Sequence, residues 1–239
     1  MKRSLTTTTF LPALISAVLL GGCAGPHAIG YALAPLDGPP VKYTTPVQVR
    51  TLGDRRPATE RFEPDEAREY SFYSRDRIFN EPVAEGITRM LQLELANSGI
   101  EVTDEANYFV GEKPYLRIAG DILHFHVTCK ELPVDTMQQG VQTLWRREQY
   151  AVRVSLRIKM IDTLSRKLVM QRVYTSSDAA AVRSIMIEVQ PGNEKNQQPE
   201  VRAWQKAGDE SAIQLLNEHL KNVLVRVRQD VVKQLTPQQ

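Results

Sequence analysis

Apolar and polar positions alternate most plainly along Val152-Arg153-Val154-Ser155-Leu156-Arg157-Ile158-Lys159-Met160. Successive side chains of a strand point to opposite faces, so this period of two predicts a strand with one buried and one wet face. Asp162-Thr163-Leu164-Ser165-Arg166 has turn composition and predicts a hairpin, with Leu168 to Thr175 returning as the partner strand. Upstream, Tyr115 to Thr128 predicts another long strand whose apolar parity changes: Leu116 and Ile118 share one face, Leu123, Phe125 and Val127 the other. An extra residue in a β-bulge near Gly120-Asp121 would keep both sets on the core side. Val47-Gln48-Val49 predicts a short strand running into a turn over Leu52 to Pro57, and Ile100 and Val102 begin a further strand.

Helical periods bracket these strands. Val83, Ile87, Met90, Leu91 and Leu95 recur at spacings of three and four, with Asn80 as N-cap, Pro82 in the first turn and Gly99 as the stop. A second amphipathic helix is predicted from about Asp209 to Leu235 on the stripe Ala212, Leu216, Leu220, Val223, Val227 and Val231, ended by Thr236-Pro237. Residues 178–206 are polar and irregular, with Ile185, Ile187 and Val189 as a minor strand. Met137, Val141, Leu144 and Trp145 fit one face of a short helix followed by Arg146 and Arg147, though the same residues also suit an extension of the next strand or a cap on the core. Wet-faced strands need helices on one side only. The order therefore predicts an α+β two-layer sandwich, a mostly antiparallel sheet with two amphipathic helices packed on one face.

The N-terminus has a different pattern. Met1-Lys2-Arg3 and a Ser/Thr stretch precede an apolar run from Phe10 to Leu20. As a helix, that run would reach about 16 Å, well short of the roughly 30 Å hydrocarbon core of a bilayer, so it reads as an export signal rather than a span. Leu20-Gly21-Gly22-Cys23 then sets an aliphatic residue, two small residues and a cysteine in succession, in the manner of a lipobox. The thiol of Cys23 is the one side chain there that accepts a diacylglycerol. These features divide the chain into a signal peptide (1–22), a lipidated flexible tether (23–46) rich in Gly and Pro, a single α+β domain (47–235) and a C-terminal tail (236–239). Ala24, where an Asp would retain a lipoprotein in the inner membrane of enteric bacteria, favours the outer membrane, facing the periplasm.

The lipobox, the strand and turn leading from Val47 to Asp54-Arg55-Arg56, the helix ending at Ser98-Gly99, the hairpin across Asp162-Thr163 and the closing helix together resemble the YajG-type envelope lipoproteins. More loosely, the chain is similar to the small outer-membrane lipoproteins that include ABC-transport auxiliary components. That resemblance implies a non-enzymatic binding or assembly factor.

Composition narrows the function further. Loss of the leader removes Lys2 and Arg3 from the 30 basic residues and nothing from the 28 acidic ones, so the mature chain is formally neutral and nucleic acid is not expected as a partner. The expected partners are the membrane, through lipidated Cys23, and an envelope protein. Of the 2 cysteines, only Cys129 remains after lipidation; it reads as a buried apolar thiol or an intermolecular bridge. No nucleophile elbow, phosphate loop, zinc-helix or dinucleotide motif is present, so neither a catalytic residue nor a cofactor is expected.

The alternative is a periplasmic metal-dependent hydrolase using His124 and His126, which share one strand face around Phe125. Sequence spacing supplies them with no third ligand, so the expected reading is satisfied surface histidines and no metal. His219 reads as a boundary residue of the last helix, and Arg153, Arg157 and Lys159 as a solvated basic row or a contact for an anionic partner. Candidate partner contacts are Met137, Leu144, Trp145, Arg146 and Arg147, with Trp145 as anchor because aromatic and arginine side chains are enriched at interfaces; the charged turn of Asp54, Arg55 and Arg56 reads as a solvated turn with local ion pairs or, through Asp54 and Arg56, as a rim contact.

Overall fold

The computed structural model describes residues 27–33, 41–61, 71–72, 78–103, 116–132, 143–188 and 198–235; the leader, Cys23, Met137 and Val141 lie outside them. Among the described residues, seven strands and three helices follow in the order β1 (Val47–Val49), β2 (Gly53–Asp54), α1 (Ala58–Arg61), β3 (Ser71–Phe72), α2 (Val83–Asn97), β4 (Val102–Thr103), β5 (Leu116–Leu132), β6 (Thr143–Asp162), β7 (Leu168–Glu188) and α3 (Gln198–Val232). They form an α+β fold around one sheet, ordered β4-β1-β5-β6-β7, with β2 and β3 also pairing β5.

The sheet is mostly antiparallel by extent of pairing, as expected, but it is mixed rather than purely so. β5, β6 and β7 are antiparallel, but β1 runs parallel to both β4 and β5, and β2 parallel to β5. A helix between two strands returns the chain to its starting end, so the α2 crossover between β1 and β4 imposes parallel pairing.

Alternation in β6 translates directly into burial. Val152, Val154, Leu156, Ile158 and Met160 face a core shared with Ile87, Leu91 and Leu95 of α2 and the whole predicted stripe of α3, from Ala212 to Val231. Each fully buried aliphatic side chain contributes about 1.5–3 kcal/mol. The other face of β6 carries exposed Arg153 and half-exposed Arg157 and Lys159; Ser155 is buried there, its Oγ 2.9 Å from Thr175 Oγ1 across the strand pair.

Several boundaries differ from their sequence signals. The register slip in β5 falls between Ile122 and His124 rather than at Gly120-Asp121, so Ile122 stays in the core with Leu116 and Ile118 while Phe125, Val127 and Cys129 enter it after the slip. Gly120 has another role: a Cβ there would collide with the Arg157 carbonyl oxygen on β6. Cys129 is buried, in keeping with a small apolar side chain. Pro82, not Asn80, is the N-cap of α2, and the Asn80 N–H donates to the His27 carbonyl; Gly99 ends the helix with a φ of 82°. β7 continues through the stretch expected to be irregular because β6 offers it a pairing partner as far as Thr143↔Glu188. Gln198 opens α3 well before Asp209, with Pro199 in the first turn where a missing N–H costs nothing.

Part of the expected tether belongs to the domain. Ile29 is fully buried, and Tyr31 and Leu33 pack on the core, an alternation that the neighbouring Gly and Pro obscure. Asn217 Oδ1 accepts the Gly30 N–H at 3.1 Å and Arg89 Nη2 donates to the Ile29 carbonyl at 2.9 Å, fixing the segment to α3 and α2.

Candidate functional site

The histidine pair acquires a third member through the fold. After the register slip, His124 and His126 lie on the face of β5 opposite the Phe125 core, and α1 comes to rest on that face. Glu60 of α1 is buried, with its Oε1 2.6 Å from His124 Nδ1 and 2.9 Å from His126 Nδ1. His124 makes a hydrogen bond there, whereas His126 Nδ1 is buried without a hydrogen-bond partner. The other carboxylate oxygen accepts the Phe125 N–H at 3.3 Å. That N–H is available because the outer edge of β5 pairs β2 up to Ile122 and β3 from Thr128; Phe125 lies in the gap between them. Burial pushes the Glu60 carboxyl up. The imidazoles of His126 and His124 and the Phe125 N–H outweigh this and hold it below its ordinary value.

The charged turn positions the helix that carries Glu60. Asp54 Oδ1 accepts both the Arg56 N–H (3.1 Å) and Arg56 Nε (3.0 Å), its Oδ2 accepts Arg56 Nη2 (2.7 Å), and Arg61 Nε approaches within 3.4 Å. The turn and α1 are thereby tied at both ends. The Arg56 side chain is completely buried, while Arg55 is 76 % exposed. For Arg56 this departs from the expected partner-facing rim of Asp54 and Arg56: the strand pairing of β2 with β5 turns the Arg56 side chain inward, where a guanidinium is stable only when paired.

Other candidates disperse. Arg157 reaches Asp121 at 3.5 Å, and Arg153 stands in register with His126. His219 Nδ1 lies 2.8 Å from Ser176 Oγ, away from the Glu60 cluster on the helix side of the sheet. Leu144, Trp145, Arg146 and Arg147 are not helical as their spacing allowed. They belong to β6, paired with Ile187 to Ser184 of β7, so the strand extension prevails, and Met137 lies outside the described residues. A groove of about 500 Å³ between residues 27–32 and α3 includes His27, Tyr31, Glu210 and Lys221. Among the described residues, Glu60, His124 and His126 form the group whose ligand atoms all fall within 4.8 Å of one another. Sequence reasoning missed Glu60 because it lies 64 residues from His124 and its neighbourhood carries no metal motif.

No protein-family model matches the chain, and no curated protein does. Among solved structures, the fold is similar to a Xanthomonas campestris protein of the DUF330 family (12 % identity, 86 % of this chain and 98 % of that one, TM-score 0.40). A putative neuraminyllactose-binding hemagglutinin homolog from Helicobacter pylori is similar at 12 % identity, over 82 % of this chain and 91 % of that one, with a TM-score of 0.38. A minor lipoprotein from Acinetobacter baumannii has 10 % identity, covering 80 % and 97 % of the two chains, with a TM-score of 0.29. At these scores the likenesses bear on neither activity nor partner.

Proposed function

We infer that the chain is a lipid-anchored, periplasm-facing lipoprotein of the outer membrane that acts as a non-enzymatic binding or assembly module of the cell envelope. The observation that carries this reading is Leu20-Gly21-Gly22-Cys23 at the end of a charged and then apolar leader. Each buried methylene of an acyl chain contributes about 0.8 kcal/mol, so two or more chains on Cys23 hold the protein essentially permanently. Among the described residues, no helix is long and apolar enough to cross a membrane. The packing of Ile29 shortens the leash: the four steps of chain from Cys23 to His27 can span at most about 14 Å, which keeps the domain close to the lipid surface. Cys23→Ser is expected to move the protein from the membrane pellet to the soluble fraction, or to leave an unprocessed precursor, after detergent-free lysis. A cleaved variant still in the pellet would show that something other than the acylated thiol anchors it.

The proposed partner contact is the segment from Met137 through the start of β6, with Leu144, Trp145, Arg146 and Arg147. Its support is compositional: a Trp and two Arg beside apolar residues are what interfaces concentrate. Replacing Met137, Leu144 and Trp145 together with Ser is expected to abolish in-cell crosslinks while leaving the melting temperature within a few degrees of the parent, ~1 kcal/mol corresponding to about 2–4 °C for a domain of this size. Unchanged crosslinks, or a large loss of stability, would remove the segment from consideration.

A further inference from the structure

We propose that Glu60, His124 and His126 bind one divalent transition-metal ion, zinc or a close equivalent, at a three-ligand site on the sheet face opposite the main core.

Two imidazole nitrogens and one carboxylate oxygen are the donor set of an open zinc site, in which three protein ligands leave a fourth position for water. Here the three donor atoms lie within 4.8 Å of one another. In a tetrahedral site with bonds of about 2.0–2.2 Å, adjacent ligand atoms are separated by roughly 3.3 Å. The Oε1 to Nδ1 distances of 2.6 and 2.9 Å would therefore open by about half an ångström to admit the ion, within reach of small side-chain rotations.

Purely structural pairing explains this arrangement less well. A carboxylate buried to anchor α1 would take a hydrogen bond from each imidazole, and buried polar atoms are seldom left unpaired. His126 Nδ1 is buried, lies 2.9 Å from Oε1 and has no hydrogen-bond partner. The surroundings also resemble those of a ligand set: the Phe125 N–H holds the second carboxylate oxygen, Oε1 faces both imidazoles, and Asp54 with Arg56 fixes the turn that delivers α1. The His124 and His126 side chains are 25 % and 18 % exposed, so an ion and a water ligand can enter from solvent. On binding, each neutral imidazole carries its proton on Nε2 and offers Nδ1 to the metal.

The full chain, purified in detergent without a polyhistidine tag and stripped with a chelator, can be titrated with Zn²⁺ by calorimetry and with Co²⁺ by visible absorption. One equivalent of Zn²⁺ is expected to bind. The Co²⁺ complex should show the d–d bands of a tetrahedral or five-coordinate nitrogen and oxygen site, without a thiolate charge-transfer band. His124→Ala and His126→Ala should each weaken Zn²⁺ binding at least about 100-fold, the upper end of what losing even an outer-shell partner costs. Cys129→Ser should leave it unchanged. No Zn²⁺ uptake by the parent chain, a thiolate band with Co²⁺, or undiminished binding in both histidine variants would overturn the site. The Co²⁺ spectrum of the parent chain decides the ligand set even if a histidine variant fails to fold.

Discussion

Val154→Asp is expected to abolish cooperative folding, whereas Arg157→Glu, three residues along the same strand, is expected to lower the melting temperature by only a few degrees. Val154 is fully buried in the middle of β6, in register with Phe125 on one side and Ser176 on the other, beneath the helices. An ionised carboxylate there has no partner, and its burial costs several kcal/mol, comparable to the 5–15 kcal/mol that hold a typical domain together. Arg157 points to the opposite face. Its side chain is 42 % exposed and approaches Asp121 at 3.5 Å. Reversing its charge removes a surface pair and sets two carboxylates opposite each other across the strands, a cost of about 1 kcal/mol. Thermal unfolding followed by circular dichroism separates the two outcomes, and equal melting temperatures would mean that the register of β6 is inverted.

That contrast was legible in the sequence because it depends on a local period. The faces of β6, the stripe of α2 with its stop at Gly99 and the stripe of α3 all follow from residues a few positions apart. What the sequence concealed depends on partners far along the chain. The parity change in β5 announced a slip, but the backbone meeting of Gly120 with Arg157 and the continued pairing of Ile122 with Leu156 placed it at Leu123. Ile29 looked like tether because its pocket is formed by Gly86 and other distant residues: a Cβ on Gly86 would lie 2.9 Å from Ile29 Cδ1. Two of the three candidate metal ligands were visible as histidines of equal parity. Its remaining ligand was not, since a lone Glu in a four-residue helix gains meaning only when β2 and the Asp54–Arg56 pair lay that helix against β5.

Arg56→Met should accordingly be far more damaging than Arg55→Met, although the two arginines are adjacent. Arg55 is 76 % exposed and its contact with Asp121, at 3.9 Å, is worth under about 1 kcal/mol. Removing Arg56 takes a fully buried guanidinium from a carboxylate that is only 17 % exposed. Breaking such a pair from one side costs about 3–5 kcal/mol because the remaining charge stays largely desolvated, here with Arg61 at 3.4 Å as a lesser partner. The loss should also depend on pH. Burial alone raises the Asp54 carboxyl, but the hydrogen bonds and charge of Arg56 bring it below its ordinary value of 3.8. A depressed carboxyl contributes stability that is present above the unfolded pKa and disappears as pH falls through the folded one. The parent chain should therefore lose this contribution below about pH 4, and the stability gap between it and Arg56→Met, wide at neutral pH, should narrow over the same range. Urea unfolding at pH 7 and at pH 3.5 measures that gap directly; a gap of equal width at both would mean that Arg56 stabilises the turn through packing rather than through the charge of Asp54.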